Sequence, residues 1–242
     1  MILFFGGLGV DRRYFRNMKK SNWMFFEIEF TLRCIDNILD HYFNFSYEGT
    51  IHLVAFSIAC PIVVSAIRRH ETVYSNRYKL HLIDPPNPYP FRKEGVTSHP
   101  AFHPLKHHAK PRPHLLDMIY RVPRWLFVLI TVPGIRHALV YLLNAMAKDK
   151  TPSHVDHVLL RFGQNKLKHI IEQGLLNTSP FLKPPSSSQI IHVYTGQHSM
   201  YRHHVELLAE TSPLYKLHVI PDTNHHLLLD SNLFILEYHL SL

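Results

Sequence analysis

Cysteine is nearly absent: Cys34 and Cys60 are the only two thiols in 242 residues. A disulfide framework needs more than that, so stability has to come from an apolar core. Both cysteines stand in apolar segments, one on an expected helix face and one just behind a turn serine. They are expected to be buried free thiols, which suits a reducing, cytoplasmic compartment. Cys60 as a nucleophile is disfavoured, because its helix would carry it away from the turn. No uninterrupted apolar run of about 20 residues occurs, so no transmembrane segment is expected. The first apolar run lacks a basic leader and stops at Gly6, so it reads as a core strand rather than a signal peptide. Zinc-finger spacing, an RNP-like aromatic run and a dense Lys/Arg block are all missing, so no nucleic acid partner is expected. Charged residues make up 18% against 46% apolar, which excludes a disordered chain and leaves enough core for one large domain. No internal repeat is apparent.

What is plentiful is positive charge and histidine. Lys and Arg number 26 against 18 Asp and Glu, giving +8 with neutral histidines. Such a balance favours acidic partners. The 21 histidines follow no one pattern and are expected mostly on the surface and in loops. One group, His99, His103, His107, His108 and His114, invites a metal reading. Its segment is rich in proline and offers no Cys or carboxylate ligand, so a solvated loop is expected there and no metal.

Short apolar runs alternate with helical patterns. Ile2 to Phe5 reads as a strand, Gly6-Gly7-Leu8-Gly9 as a turn and Val10 to Lys20 as a basic helix. Trp23 to Phe30 reads as a strand, and Thr31 to Phe43 as a helix with Thr31 as its cap. Thr50 to His70 organises the chain: a buried strand (Ile51 to Phe56), a sharp turn at Ser57, and a helix with apolar Ile58, Ile62, Val63, Ala66 and Ile67. Tyr78 to Ile83 is the next strand, ended by Asp84 and Pro85-Pro86. Residues 85–188 change character. Proline-rich at both ends and helical between (His114 to Arg121, Arg124 to about Ala147, Ser153 to about Gly174), they read as an inserted helical cap or lid. Trp125 to Ile135 is strongly apolar with basic flanks, suited to a cap helix that also walls an acyl pocket. The sheet pattern resumes with strands Gln189 to Tyr194 and Leu214 to Ile220, a helix from Ser199 to Glu210, and a last helix from His226 to Leu240. Residues 1–84 and 189–242 therefore form the core. Alternation of this kind predicts an α/β fold with a mostly parallel, doubly wound sheet.

Several loops at the carboxyl ends of these strands carry chemistry. A serine between strand and helix can be presented as a nucleophile, provided its flanking residues are small; here they are Ala55 and Ala59. It also reads as an ordinary helix N-cap. The glycine turn can present backbone N–H groups or simply join strand to helix. It is not a dinucleotide loop, since G-G-L-G-V-D lacks the G-x-G-x-x-G spacing. His225, in PDTNHHLLLD after the last strand, is a candidate base with His226 as its rival. Asp84 reads as an orienting acid or as a turn residue.

Glycine turn, serine turn and histidine in this order resemble the α/β-hydrolase superfamily, over the whole chain and with degenerate motifs. Ala55 and Ala59 replace the glycines of G-x-S-x-G, and Gly6 replaces the usual His before the first glycine. The usual first strands of the sheet are absent. The loop where most members keep the acid, Thr195-Gly196-Gln197-His198-Ser199, has no carboxylate, and some members place it where Asp84 stands. The resemblance implies a serine hydrolase of the carboxylesterase or thioesterase type, acting on an ester or thioester with an apolar acyl group. Ser57 would be the nucleophile, His225 the base, Asp84 the acid, and the N–H groups of Leu8 and Ile58 the oxyanion donors. No cofactor is needed. Substrates would be small acyl esters or thioesters, with an acidic acyl carrier protein allowed by the positive charge. Two other classes stay open: a catalytically inactive binding protein of the same fold, and a lipid or membrane-surface binding protein.

Overall fold

In a computed structural model the described residues are 1–7, 10, 23–44, 49–69, 77–86, 134–135, 138, 169–170, 189–199, 201–210 and 212–223. They form six strands and three helices: β1 Ile2–Phe5, β2 Trp23–Phe26, α1 Ile28–Asn44, β3 Ile51–Phe56, α2 Ala59–Arg69, β4 Tyr78–Ile83, β5 Ile191–Gly196, α3 Arg202–Glu210 and β6 Tyr215–Ile220. The strands make one sheet in the order β2-β1-β3-β4-β5-β6, with every pair parallel. From β1 the chain first steps outward to β2, then crosses to β3 on the other side and continues in that direction. The crevice between the carboxyl ends of β1 and β3 is thus the point where the winding reverses, which is where ligands bind in open α/β sheets.

Side chains alternate across each strand, so register decides which layer they join. Leu3, Phe5, Leu53, Ala55, Leu80, Leu82, Ile191 and Val193 share a core with α1, α2 and Val205 of α3. α2 is buried almost all round, as the central helix of the layer should be, and its Pro61 sits in the first turn, where no backbone hydrogen bond is lost. Phe4, Val54, Phe56, Ile83, Tyr194 and Ile220 make a second, smaller core on the opposite face.

α1 starts earlier than expected, and the strand before it is half the expected length. From Glu27 on, burial recurs every three or four residues, at Ile28, Thr31, Ile35, Ile38, Leu39 and Phe43. That stripe pulls Glu27 to Phe30 into helical register despite their β-compatible side chains. Thr31 is therefore no cap: its N–H (2.9 Å) and its hydroxyl (3.0 Å) both donate to the Glu27 carbonyl one turn back. Cys34 lies at the shoulder of the stripe and is only partly buried, whereas Cys60 is fully buried; both are free thiols.

The histidines supply the main departure. His52, His81, His192 and His218 stand side by side on four adjacent strands, on the face of the smaller core. Their rings stack at centroid separations of 5.3, 5.1 and 5.2 Å. His52 Nδ1 and His81 Nε2 share a hydrogen bond at 3.2 Å, His192 Nδ1 and His218 Nε2 one at 3.0 Å, and His81 Nδ1 meets the Tyr194 hydroxyl at 3.1 Å. His81 is 1% exposed, so it is a core residue and not a surface one. Burial, followed by the neighbouring His192, pushes its pKa down to about 2. Burial and Lys79 push that of His52 down to about 4.

Most of the expected cap, including Trp125 and the cluster from His99 to His114, lies outside the described residues. Ile135 is exposed, while Ile170 is buried within the larger core. Among the described residues no helix is long and apolar enough to cross a membrane, and no three metal-type ligands come together.

Candidate active site

β3 delivers Ser57 to the reversal point. Ser57 has φ 52°, a left-handed conformation that a non-glycine residue adopts at a cost. The kink is held from both sides. The Ser57 N–H donates to the Ile83 carbonyl at the end of β4 (2.8 Å), and the Cys60 N–H donates back to the Ser57 carbonyl (2.9 Å). Among the described residues the Ile58 N–H takes no part in the turn's backbone bonds. Ala55 and Ala59 are fully buried, consistent with the demand for small neighbours.

Gly7 explains why the first turn is glycine. A Cβ there would lie 2.7 Å from the Phe56 carbonyl oxygen and 2.8 Å from Ser57 Cβ, so only hydrogen fits between the β1 turn and the serine turn. The two turns are thus in contact. Leu8 itself, and with it the second expected oxyanion donor, lies outside the described residues.

Cys60 is excluded as a rival. Its Sγ–H faces the Ala55 carbonyl (3.2 Å) and the Ile83 carbonyl (3.6 Å), and burial pushes the thiol well above its ordinary range. A thiol so placed does not form the reactive thiolate.

Asp84 ends β4 fully buried, also in the left-handed region at φ 48°. Its N–H donates to the Tyr194 carbonyl (2.8 Å). Its two carboxylate oxygens each accept a hydroxyl: Thr195 Oγ1 donates to Oδ1 at 2.7 Å, and Ser199 Oγ to Oδ2 at 2.5 Å. Neither hydroxyl stands out in the sequence, since the partners are 111 and 115 residues away. The available signal was the pairing of a loop that lacks its carboxylate, yet carries two hydroxyls, with a carboxylate on the preceding strand.

His225 and its rival His226 lie outside the described residues, but the segment entering them is placed as far as Thr223. The Gln197 N–H donates to the Ile220 carbonyl and the His198 N–H to the Thr223 carbonyl, both at 2.8 Å. Asp222 N–H reaches Gln197 Oε1 at 3.1 Å. A Cβ on Gly196 would sit 2.5 Å from the Thr223 carbonyl oxygen, so the end of β5 and the loop after β6 touch along their backbones.

By sequence, no family model and no curated protein matches the chain. Solved structures match it over nearly its whole length. MenH from S. aureus is 16% identical with a TM-score of 0.58, covering 99% of this chain and 92% of that one. Human thioesterase 2 is 12% identical with a TM-score of 0.55, covering 99% and 92%. A carboxylesterase of the thaumarchaeon Nitrososphaera gargenis is 9% identical with a TM-score of 0.60, covering 99% and 88%. With its parallel sheet, its winding reversal beside Ser57 and these matches, the chain has the α/β-hydrolase fold.

Proposed function

We propose that this protein is a serine hydrolase that cleaves a carboxylic ester or thioester with an apolar acyl group. The observation that carries the reading is Ser57 at φ 52° on the tight turn between β3 and α2, where the sheet reverses its winding. Strain of this kind is kept where a side chain must be aimed. The similarity in fold to an esterase and a thioesterase supports acyl transfer as the reaction class.

In this reading Ser57 Oγ attacks the carbonyl carbon while His225 takes its proton. The N–H groups of Ile58 and Leu8 stabilise the oxyanion as the tetrahedral intermediate forms. The carbon–oxygen or carbon–sulfur bond to the leaving group then breaks, and the leaving group departs with the proton from His225. Water repeats the sequence on the acyl-serine: His225 takes a water proton, the acid is released, and the proton returns to Ser57. Asp84 orients the imidazole. A helical cap over residues 85–188 would wall the acyl pocket. The net charge of +8 suits an acidic acyl carrier protein as the donor of thioester substrates.

A fluorophosphonate probe tests the reading, because it phosphonylates only activated serines. Labelling of the folded protein that disappears in Ser57→Ala supports a hydrolase. A folded protein that takes no label is instead a binding protein on the same scaffold. For the carrier, hydrolysis of acyl thioesters on an acidic carrier should fall with added salt, while hydrolysis of small acyl esters should not.

A further inference from the structure

We propose that Thr195 and Ser199 are positioning residues for Asp84: the end of β5 and the loop after it offer no carboxylate and instead supply the two hydroxyls that fix the one at the end of β4. The inference rests on the hydrolase reading and adds to it the groups that would hold its acid. Three observations carry it. The two hydroxyls engage different oxygens of one carboxylate, Thr195 Oγ1 on Oδ1 at 2.7 Å and Ser199 Oγ on Oδ2 at 2.5 Å, which fixes the plane of the group as well as its place. The Ser199 hydroxyl is also held from its other side, since its oxygen accepts the Tyr201 N–H at 3.1 Å.

The third observation is where the loop leads. The five-residue stretch from Thr195 to Ser199, whose two ends clasp Asp84, also sets Gly196 against Thr223 and donates the His198 N–H to the Thr223 carbonyl. Thr223 is two residues before His225, a span of at most about 7 Å. One stretch of chain therefore fixes both the carboxylate and the segment entering the histidine. A hydroxyl pair that merely tied β4 to β5 would need neither the two-oxygen engagement nor this second attachment.

The test uses Thr195→Val and Ser199→Ala, singly and together, with Thr195→Ser and Ser199→Thr as conservative partners. Rates are read on p-nitrophenyl butyrate and as fluorophosphonate labelling, alongside thermal unfolding. Misplacing an orienting group by a fraction of an ångström to an ångström costs about 10- to 100-fold. Each apolar variant is expected to lose about 10-fold in kcat with KM within about twofold, and the pair to lose about 100-fold. The hydroxyl-keeping variants should recover most of the loss. In an Asp84→Asn background, Thr195→Val should cost little more, because the residues act as one unit. Thr195→Val keeps the shape of the side chain and carries the test if Ser199→Ala does not fold. A folded double variant with unchanged kcat overturns the proposal, as does a loss fully additive with Asp84→Asn. If Asp84→Asn is harmless while Ser57→Ala abolishes labelling, the clasp falls and the serine reading stands. If the wild type is neither labelled nor active, or if Ser57→Ala stays active, both fall.

Discussion

At the scale of single residues, three described non-glycine positions have a left-handed backbone, Ser57, Asp84 and Asp222, and the first two are the proposed nucleophile and acid. For an L-residue that conformation costs about 1–2 kcal/mol, and glycine escapes it. Ser57→Gly is therefore expected to be inactive yet about 1 kcal/mol more stable than Ser57→Ala, read from urea unfolding midpoints. Equal stability would mean that the turn stores no strain. The turn at Ser57 was legible because strand and helix periodicity meet on it and its neighbours are small. Thr195 and Ser199 were not legible, since a hydroxyl gains its role only from the carboxylate that folding brings to it.

At the scale of elements, the histidine row makes the sheet sensitive to acid. The imidazoles of His52 and His81 are held down by burial, and the charged or titratable groups bearing on them are Lys79, the Met1 amino group, His192 and His218. None of these is an acid that would favour the protonated rings. Both pKa values fall on folding, from 6.5 to about 4 and to about 2, so below about 6.5 the unfolded chain binds more protons than the folded one. Stability is then full above 6.5 and declines as pH falls toward the folded values. At about pH 5 the loss from His81 alone is about 2 kcal/mol. His81→Leu should shrink the stability difference between pH 7 and pH 5 by roughly that amount, measured by urea unfolding at both values. An unchanged difference would place the acid sensitivity elsewhere. The elements themselves were largely readable. Apolar runs marked β1, β3 and β4 to the residue, and the change from period two to period 3.6 marked α2. Thr31 misled because a β-branched, hydroxyl-bearing residue suits a cap locally, while the stripe from Ile28 to Phe43 outweighed it. The histidine row was written as apolar-His-apolar in all four strands (IHL, LHL, IHV, LHV). It escaped notice because imidazole is counted as polar, and nothing in a single strand says that a neighbour offers it a partner. YKLHLI and YKLHVI are near-copies, and each pairs with β5 rather than with the other.

At the scale of the whole molecule, close backbone approaches bring the chain segments around the candidate site together. Gly7 admits the serine turn, and Gly196 admits the loop after β6, each with no room for a methyl group. Gly196→Ala would place its Cβ 2.5 Å from a backbone oxygen, which cannot swing aside as a side-chain tip can. It is expected to destabilise the fold by about 1–3 kcal/mol. In the molecules that still fold, activity and fluorophosphonate labelling should drop together. A folded Gly196→Ala protein with full labelling would show that the end of β5 and the loop after β6 need not touch for the serine to be activated.

By itself the sequence determined the alternation of strands and helices, the parallel sheet that alternation requires, and a serine and an aspartate at the ends of adjacent strands. Those follow from local rules: side-chain period, turn chemistry and the cost of burying polar groups. Only the tertiary structure decided that Ser199 and Thr195 close on Asp84, that Gly7 and Gly196 are points of backbone contact, and that four histidines form a row inside the sheet. Each of these is a meeting of residues far apart along the chain, and strand register, which no single segment encodes, sets which of them meet.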